Sequence, residues 1–200
     1  VGLHEHIGMF YAMQGIVSLF MPAVLGIIAD RWIPAQKLLS FSHFTAALFM
    51  AAAGYYGMTK GADVDFGTLF TLYSLSVAFY MPTLALSNSV AYTALDKAGL
   101  DTIRTFPPIR IFGTIGFICS MWVVDLLGLQ NNYGQFFACA IIGVAYGVYA
   151  LTLPECPTSK GDNAKSLVEA LGLRAFTLFK QKKMAVFFIF SMLLGVSLQI

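Results

Sequence analysis

The sequence contains little charge. Only 11% of its 200 residues are Asp, Glu, Lys or Arg, against roughly a quarter in soluble domains. Hydrophobic residues make up 58% of the chain, and the mean hydropathy is +0.75. Apolar runs of about 18 residues or more, the length that argues for membrane spans, recur along the chain. The composition therefore predicts an all-α polytopic membrane protein.

Further absences narrow the function. The sequence has no basic stripe with interleaved aromatic residues, so nothing supports nucleic-acid binding. It has no Gly-rich loop of the kind that binds the phosphates of ATP, so nothing indicates a process driven by ATP. It also has no Ser/His pair, paired Asp residues or group of metal ligands that would indicate an enzyme. Cys119, Cys139 and Cys156 are scattered, so we expect reduced structural thiols. We accordingly expect no catalytic residue, no metal and no cofactor.

The apolar runs predict a bundle of membrane spans, which is followed by a polar segment. The spans cover residues of about 7–29, 35–57, 66–92, 106–127 and 136–153, which makes residues 1–153 one transmembrane bundle. Residues 154–183 are polar and form a predicted inter-bundle loop, in which a capping box at 166–169 opens an amphipathic helix. A new apolar run over 184–200 predicts the start of a second bundle.

The positive charges predict the orientation in the membrane. Lys60 lies in a loop on one side, and Arg110 lies within a span. The other positive residues fall in the loops at 30–37, 93–105 and 154–183, namely Arg31, Lys37, Lys97, Arg104, Lys160, Lys165, Arg174, Lys180, Lys182 and Lys183. By the positive-inside rule, these loops are cytoplasmic. A whole protein with its N-terminus on that side needs one more span before the first.

Arg110 is the strongest functional signal. It lies near the start of the fourth predicted span, just after two prolines that fit the first turn of a helix. Arg110, Thr114 and Phe117 follow i, i+4, i+7 spacing and therefore share one helix face. Because a guanidinium is expensive in lipid, this face should line a solute pathway. The alternative is an arginine that snorkels to the membrane surface and holds a structural partner.

Three further features of the spans bear on function and packing. His43, in an apolar span, could move protons, or it could be a hydrogen-bonded core residue. Gly143 and Gly147 form a small-xxx-small pattern that favours close helix packing. No acidic residue lies in the middle of a span; if the protein couples solute movement to protons, the carboxylate that does so should lie outside these residues.

The sequence resembles a known family in several segments. Residues 106–117, FPPIRIFGTIGF, are similar to the fifth transmembrane helix of nucleoside permeases in the nucleoside:H+ symporter family, a branch of the major facilitator superfamily. Residues 20–32, 80–84 and 187–200 match as well, and the likeness runs from about Ile7 to the last residue. It implies two six-helix bundles with alternating access and a substrate site between them.

The resemblance also implies a function and a site. It implies a monomeric secondary transporter in the bacterial inner membrane that imports nucleosides by proton symport. Arg110, Thr114 and Phe117 would line the nucleoside site together with Gln199, for which the alternative is a hydrogen bond between helices. The segment with Gly26, Asp30 and Arg31 resembles the cytoplasmic motif of the superfamily, in which a charge latch opens during rocking; the alternative is a solvated turn. Other possible functions are a major facilitator carrier of a sugar or drug, or a channel.

Overall fold

The computed structural model describes residues 4–158 and 173–197, and the described residues are helical with short connections. Contacts between Cα atoms divide the chain into two compact units, residues 1–160 and 161–200. Five helices of the first unit are long and apolar enough to cross a membrane. They are α1 (Ile7–Arg31), α2 (Ala35–Lys60), α3 (Phe66–Lys97), α4 (Thr102–Leu126) and α5 (Gly134–Leu151).

Helix α4 begins earlier than the prolines suggested. The carboxylate of Asp101 accepts hydrogen bonds from the backbone N–H groups of Ile103 and Arg104, at 2.9 and 3.4 Å. This cap starts the helix at Thr102, so Pro107 and Pro108 lie inside it. The prediction that they occupy its first turn was wrong. Membrane helices tolerate interior prolines where other groups satisfy the freed carbonyls.

Helix α2 is the centre of the first unit. It packs extensively against α3 on one side and α5 on the other, and α1 packs against α3. Where α2 meets α5, a Cβ atom on Gly147 would lie 3.0 Å from the ring of Phe44, and one on Gly143 would lie 3.2 Å from Ala47. The hydroxyl of Ser40 donates to the carbonyl of Gly147 at 2.7 Å. The two glycines therefore permit close helix packing, as their spacing predicts.

Successive connections between the helices of the first unit lie alternately at one end of the unit and at the other. At one end, the Lys37 Nζ atom lies 3.8 Å from a carboxylate oxygen of Glu155, and Lys97 donates to the backbone carbonyl of Glu155. This brings the described parts of the basic segments 30–37, 93–105 and 154–158 together; we call it the basic end. At the other end, the hydroxyl of Tyr133 donates to the carbonyl of Gly61 at 3.3 Å.

The second unit has two described elements. Residues Leu173–Lys180 form 3-10 helical turns, and helix α6 covers Lys182–Ser197. The rings of Phe179 and Phe188 stack with their centroids 4.7 Å apart, so the turns pack against the start of α6. The predicted capping box at 166–169 lies outside the described residues.

Candidate functional site

Helix α4 carries three of the four predicted substrate residues. Arg110, Thr114 and Phe117 lie within one continuous helix, so their spacing places them on one side of it; we call this side the Arg110 face. Within the described residues no side chain of α4 is buried, and Phe117 is 64% exposed. Helix α4 touches mainly α3, where the rings of Tyr92 and Phe106 lie 4.5 Å apart. The Arg110 face is therefore open within the first unit.

Arg110 has no hydrogen bond or ion pair within residues 4–158. The interpretation in which a structural partner holds its guanidinium thus finds no such partner in this part of the chain. A guanidinium presents five N–H donors in a fixed fork, and a threonine hydroxyl both donates and accepts. Phe117, at the same side, offers an apolar ring on which a flat base can stack. Together these groups suit a neutral solute with carbonyl or hydroxyl oxygens and a planar ring.

A cavity of about 610 Å³ lies among α2, α3 and α5, with Gln14 of α1 and Ser120 and Val124 of α4 at its margin. We call it the central cavity. Its lining includes the small apolar residues Ala46, Ala47, Ala138 and Gly143. None of the three residues of the Arg110 face is among the described residues that line it. Its polar groups are Gln14, His43, Tyr73, Ser76, Thr83, Tyr80, Ser87, Ser120, Gln135 and Tyr146.

His43 is the notable polar residue of this cavity. Its side chain is buried, with 8% of the residue surface exposed, and its ring lies 4.6 Å from that of Tyr146 and 6.2 Å from that of Tyr80. The imidazole makes no hydrogen bond to another described residue. His43 is therefore a core residue by its burial, but the hydrogen bond that the second interpretation expects is not found among the described residues. Tyr73 is different, because it accepts a hydrogen bond from Gln14 at 2.6 Å.

Sequence reasoning missed the tyrosines of the central cavity. Tyr73 and Tyr80 stand seven positions apart on α3, and this helical spacing was the one signal that could have placed them on a common face. Tyr146 lies on α5, far away in the sequence, and only the packing of α5 against α2 brings it to His43.

The residues of the predicted cytoplasmic motif lie at the end of one helix. Gly26, Asp30 and Arg31 occupy the last turns of α1, which finish at the basic end beside an exposed Trp32. Ala29 of the same turn is buried in a cluster with residues of α2, α3 and α5, so packing fixes the position of the turn. Gln199 lies outside the described residues.

These features define a multi-pass α-helical membrane protein that presents a polar face on one of its spans. The family model described as "Nucleoside H+ symporter" matches residues 3–200, and the chain belongs to that family. The predicted family is thus confirmed.

The sequence relatives of the chain are consistent with this family. The chain is 42% identical over 197 residues to the xanthosine permease of Escherichia coli, and 45% identical over 196 residues to the nucleoside permease NupG of the same organism. The two alignments cover 98% and 97% of this chain and 45% of each permease, so the chain spans less than half the length of these relatives.

A crystal structure of a mutant of the nucleoside transporter NupG matches with a TM-score of 0.80 and 42% identity, covering 96% of this chain and 46% of that one. The unsubstituted NupG structure gives a TM-score of 0.75 at the same identity and coverage. The predicted fold, the first helical bundle of a major facilitator, is confirmed.

Proposed function

We propose that the whole protein imports nucleosides together with protons, by alternating access between two six-helix bundles. Membership of the nucleoside H+ symporter family supports the substrate and the coupling ion. The single observation that carries the proposal is the Arg110 face: a guanidinium without a partner in residues 4–158, with a hydroxyl and an aromatic ring on the same side of α4. Such a face is costly toward lipid and useful toward a solute.

Each site residue has a proposed role. Arg110 donates to carbonyl or hydroxyl oxygens of the nucleoside, and Thr114 donates to or accepts from the same region. Phe117 stacks on the base; in known nucleic-acid sites such stacking contributes about 1–3 kcal/mol per base. Gln199 supplies a side-chain amide that pairs with a base edge or a ribose hydroxyl. Gly26, Asp30 and Arg31 form the latch at the basic end that opens during rocking.

The arrangement in the membrane is part of the proposal. Residues 1–153 belong to the first bundle, residues 154–183 connect the bundles, and residues 184–200 open the second bundle. The basic end faces the cytoplasm of the bacterial cell, because Lys and Arg concentrate in cytoplasmic loops. The protein works as a monomer in the inner membrane, and the carboxylate that binds the coupling proton lies outside these 200 residues.

Counterflow in proteoliposomes tests the function. The whole protein is reconstituted, the vesicles are loaded with unlabelled uridine, and uptake of labelled uridine is followed without a proton gradient. A carrier gives transient accumulation that excess external unlabelled uridine abolishes. Accumulation driven by an unlabelled sugar or drug and not by uridine would assign another neutral solute, and ion leakage at rates independent of uridine would indicate a channel.

A further inference from the structure

The side chain of Arg110 extends along α4 toward the interior of the span. A Cβ atom on Gly113 would lie 3.0 Å from the Nη1 atom of Arg110, so the guanidinium lies beside Gly113. Helix α4 starts at the basic end, and Gly113 is three residues further along it, about 4.5 Å along the helix axis. The guanidinium therefore points away from the basic end.

This direction is not the one that an arginine in contact with lipid adopts. Side chains in helices usually lean toward the helix N-terminus, which in α4 lies at the basic end. An arginine exposed to lipid extends its charged group to the nearest membrane surface, which for Arg110 is on the same side. Within residues 4–158 no hydrogen bond or ion pair holds the guanidinium in its deeper position. Its position therefore depends on the space that α4 leaves beside it.

Gly113 provides this space. Carbon atoms in favourable contact are about 3.5–4.0 Å apart, so a side chain at position 113 would crowd the guanidinium at 3.0 Å. Gly116, the next glycine of the same helix, differs, because a Cβ atom there would have no neighbour within 4 Å. Both glycines lie inside α4, where glycine is less favourable than alanine by about 1 kcal/mol. Among the described residues, only the first of the two makes room for a side chain of the candidate site.

We propose that Gly113 is a positioning residue of the nucleoside site, because its lack of a side chain lets the guanidinium of Arg110 lie in the turn that carries Thr114. The inference rests on the proposed function, since it assigns a role within the same site. Thr114 follows Arg110 by one turn on the same side of α4. With the guanidinium in this turn, its N–H donors and the Thr114 hydroxyl can bind the same solute. An arginine displaced toward the basic end would leave the hydroxyl to bind alone.

A double-mutant cycle tests the role of Gly113, with uridine binding to the whole protein followed by calorimetry. Gly113→Ala should lower affinity about three- to tenfold, less than Arg110→Ala, because the guanidinium is displaced and not removed. Gly116→Ala, the matched control, should bind like the wild type. Combined with Arg110→Ala, Gly113→Ala should change affinity by less than about twofold, since residues that act through one another are not additive.

Two further measurements separate positioning from a structural role. In uridine counterflow, Gly113→Ala should raise the half-saturating concentration by about the same factor as it lowers affinity, with a maximal rate near that of the wild type. Its thermal midpoint without uridine should not fall, because the crowded atom is the end of a flexible side chain and alanine favours the helix. A lower midpoint together with a lower maximal rate would show that Gly113 serves the fold instead.

The cycle also separates this inference from the proposed function. Unchanged affinity in Gly113→Ala, with reduced affinity in Arg110→Ala, would overturn the role of Gly113 and leave the site in place. Equal losses from Gly113→Ala with and without Arg110 would show that the added methyl group meets the solute or disturbs the helix directly, which also overturns it. Unchanged affinity in Arg110→Ala would remove the site, and the role of Gly113 with it.

Discussion

Helices α2 and α4 have nearly the same length and opposite surroundings. They contain 26 and 25 residues, with mean hydropathies of 1.3 and 1.6 in their most apolar stretches. Half of that stretch is buried in α2 and none of it in α4, within the described residues. The less hydrophobic helix is therefore the central one. Hydropathy reports whether a helix can span a membrane; its polar side chains decide whether it needs protein neighbours.

Polar groups of the two helices differ in their contacts with neighbouring helices. On α2, Ser40 donates to a carbonyl of α5, and the carbonyl of Ala46 accepts from Ser76 of α3 at 2.8 Å, so polar contacts tie α2 to both neighbours. On α4, Arg110 has no such contact in residues 4–158. The contacts at Ser40 and Ala46 of α2 thus support the fold, and Arg110 of α4 remains available for a ligand or for a segment outside the described residues.

The largest expected effect is on stability, in α2. Leu39 is fully buried. Leu39→Ala removes packing that the surrounding helices cannot replace, and we expect a loss of about 2–5 kcal/mol. Phe112→Ala on α4 is the matched control, because Phe112 is 72% exposed, and it should change stability much less. Reversible unfolding of the whole protein in mixed micelles measures both. Equal losses would show that α4 is as tightly packed as α2.

The next effect is on transport, in α4. Arg110→Ala should lower nucleoside affinity roughly 10- to 150-fold, because hydrogen bonds to charged groups contribute about 1.5–3 kcal/mol. Arg104→Ala removes an exposed arginine of the same helix, which pairs with Asp101 at 3.6 Å, and should leave affinity near that of the wild type. Uridine binding to the whole protein, followed by calorimetry, gives the comparison. Unchanged affinity in Arg110→Ala would remove Arg110 from the site.

A smaller effect is expected at the contact between α2 and α5. Ser40→Ala deletes the hydrogen bond to the carbonyl of Gly147, and such bonds between membrane helices contribute about 0.6 kcal/mol on average. Thr45→Ala is the control, because its hydroxyl bonds only within its own helix, to the carbonyl of Phe41. The same unfolding measurement applies. A larger loss in Thr45→Ala than in Ser40→Ala would contradict the role of Ser40 in joining the helices.

The smallest effect concerns the loop before α3. The backbone N–H of Thr68 donates to the carboxylate of Asp65 and holds the pKa of that group below its ordinary value of 3.8. A lowered pKa in the folded state means that the cap stabilises the helix start above about pH 4, and that this stabilisation is lost as the pH falls through the folded pKa. The protection factor of the Thr68 amide, which compares its exchange rate with the intrinsic rate at the same pH, should therefore fall on acidification.

Asp65→Asn should remove most of this pH dependence, since its side chain does not titrate. Asp63→Asn, in the same loop, should retain it. Exchange at Thr68 that shows the same acid response in Asp65→Asn and in the wild type would contradict the cap as its cause.

Much of the fold could be predicted from the sequence, because apolar length alone marks the spans. The ends of helices were less predictable: α4 begins at Thr102 because Asp101 caps it, and the prolines pointed to a later start. At the candidate site, the high cost of a charge in lipid was enough to single out Arg110. The central cavity was not predictable, because its lining depends on how α2, α3 and α5 pack.

If Arg110, Thr114 and Phe117 bind the substrate, the Arg110 face lies on the nucleoside pathway. Thr114→Cys, in the whole protein with its other cysteines replaced, should react with a water-soluble maleimide, and saturating uridine should slow the reaction at least about tenfold, which corresponds to about 1.4 kcal/mol. Phe112→Cys, on the opposite side of α4, should show no such protection. Labelling of Thr114→Cys that uridine leaves unchanged, or equal protection at both positions, would show that the Arg110 face does not lie on the nucleoside pathway.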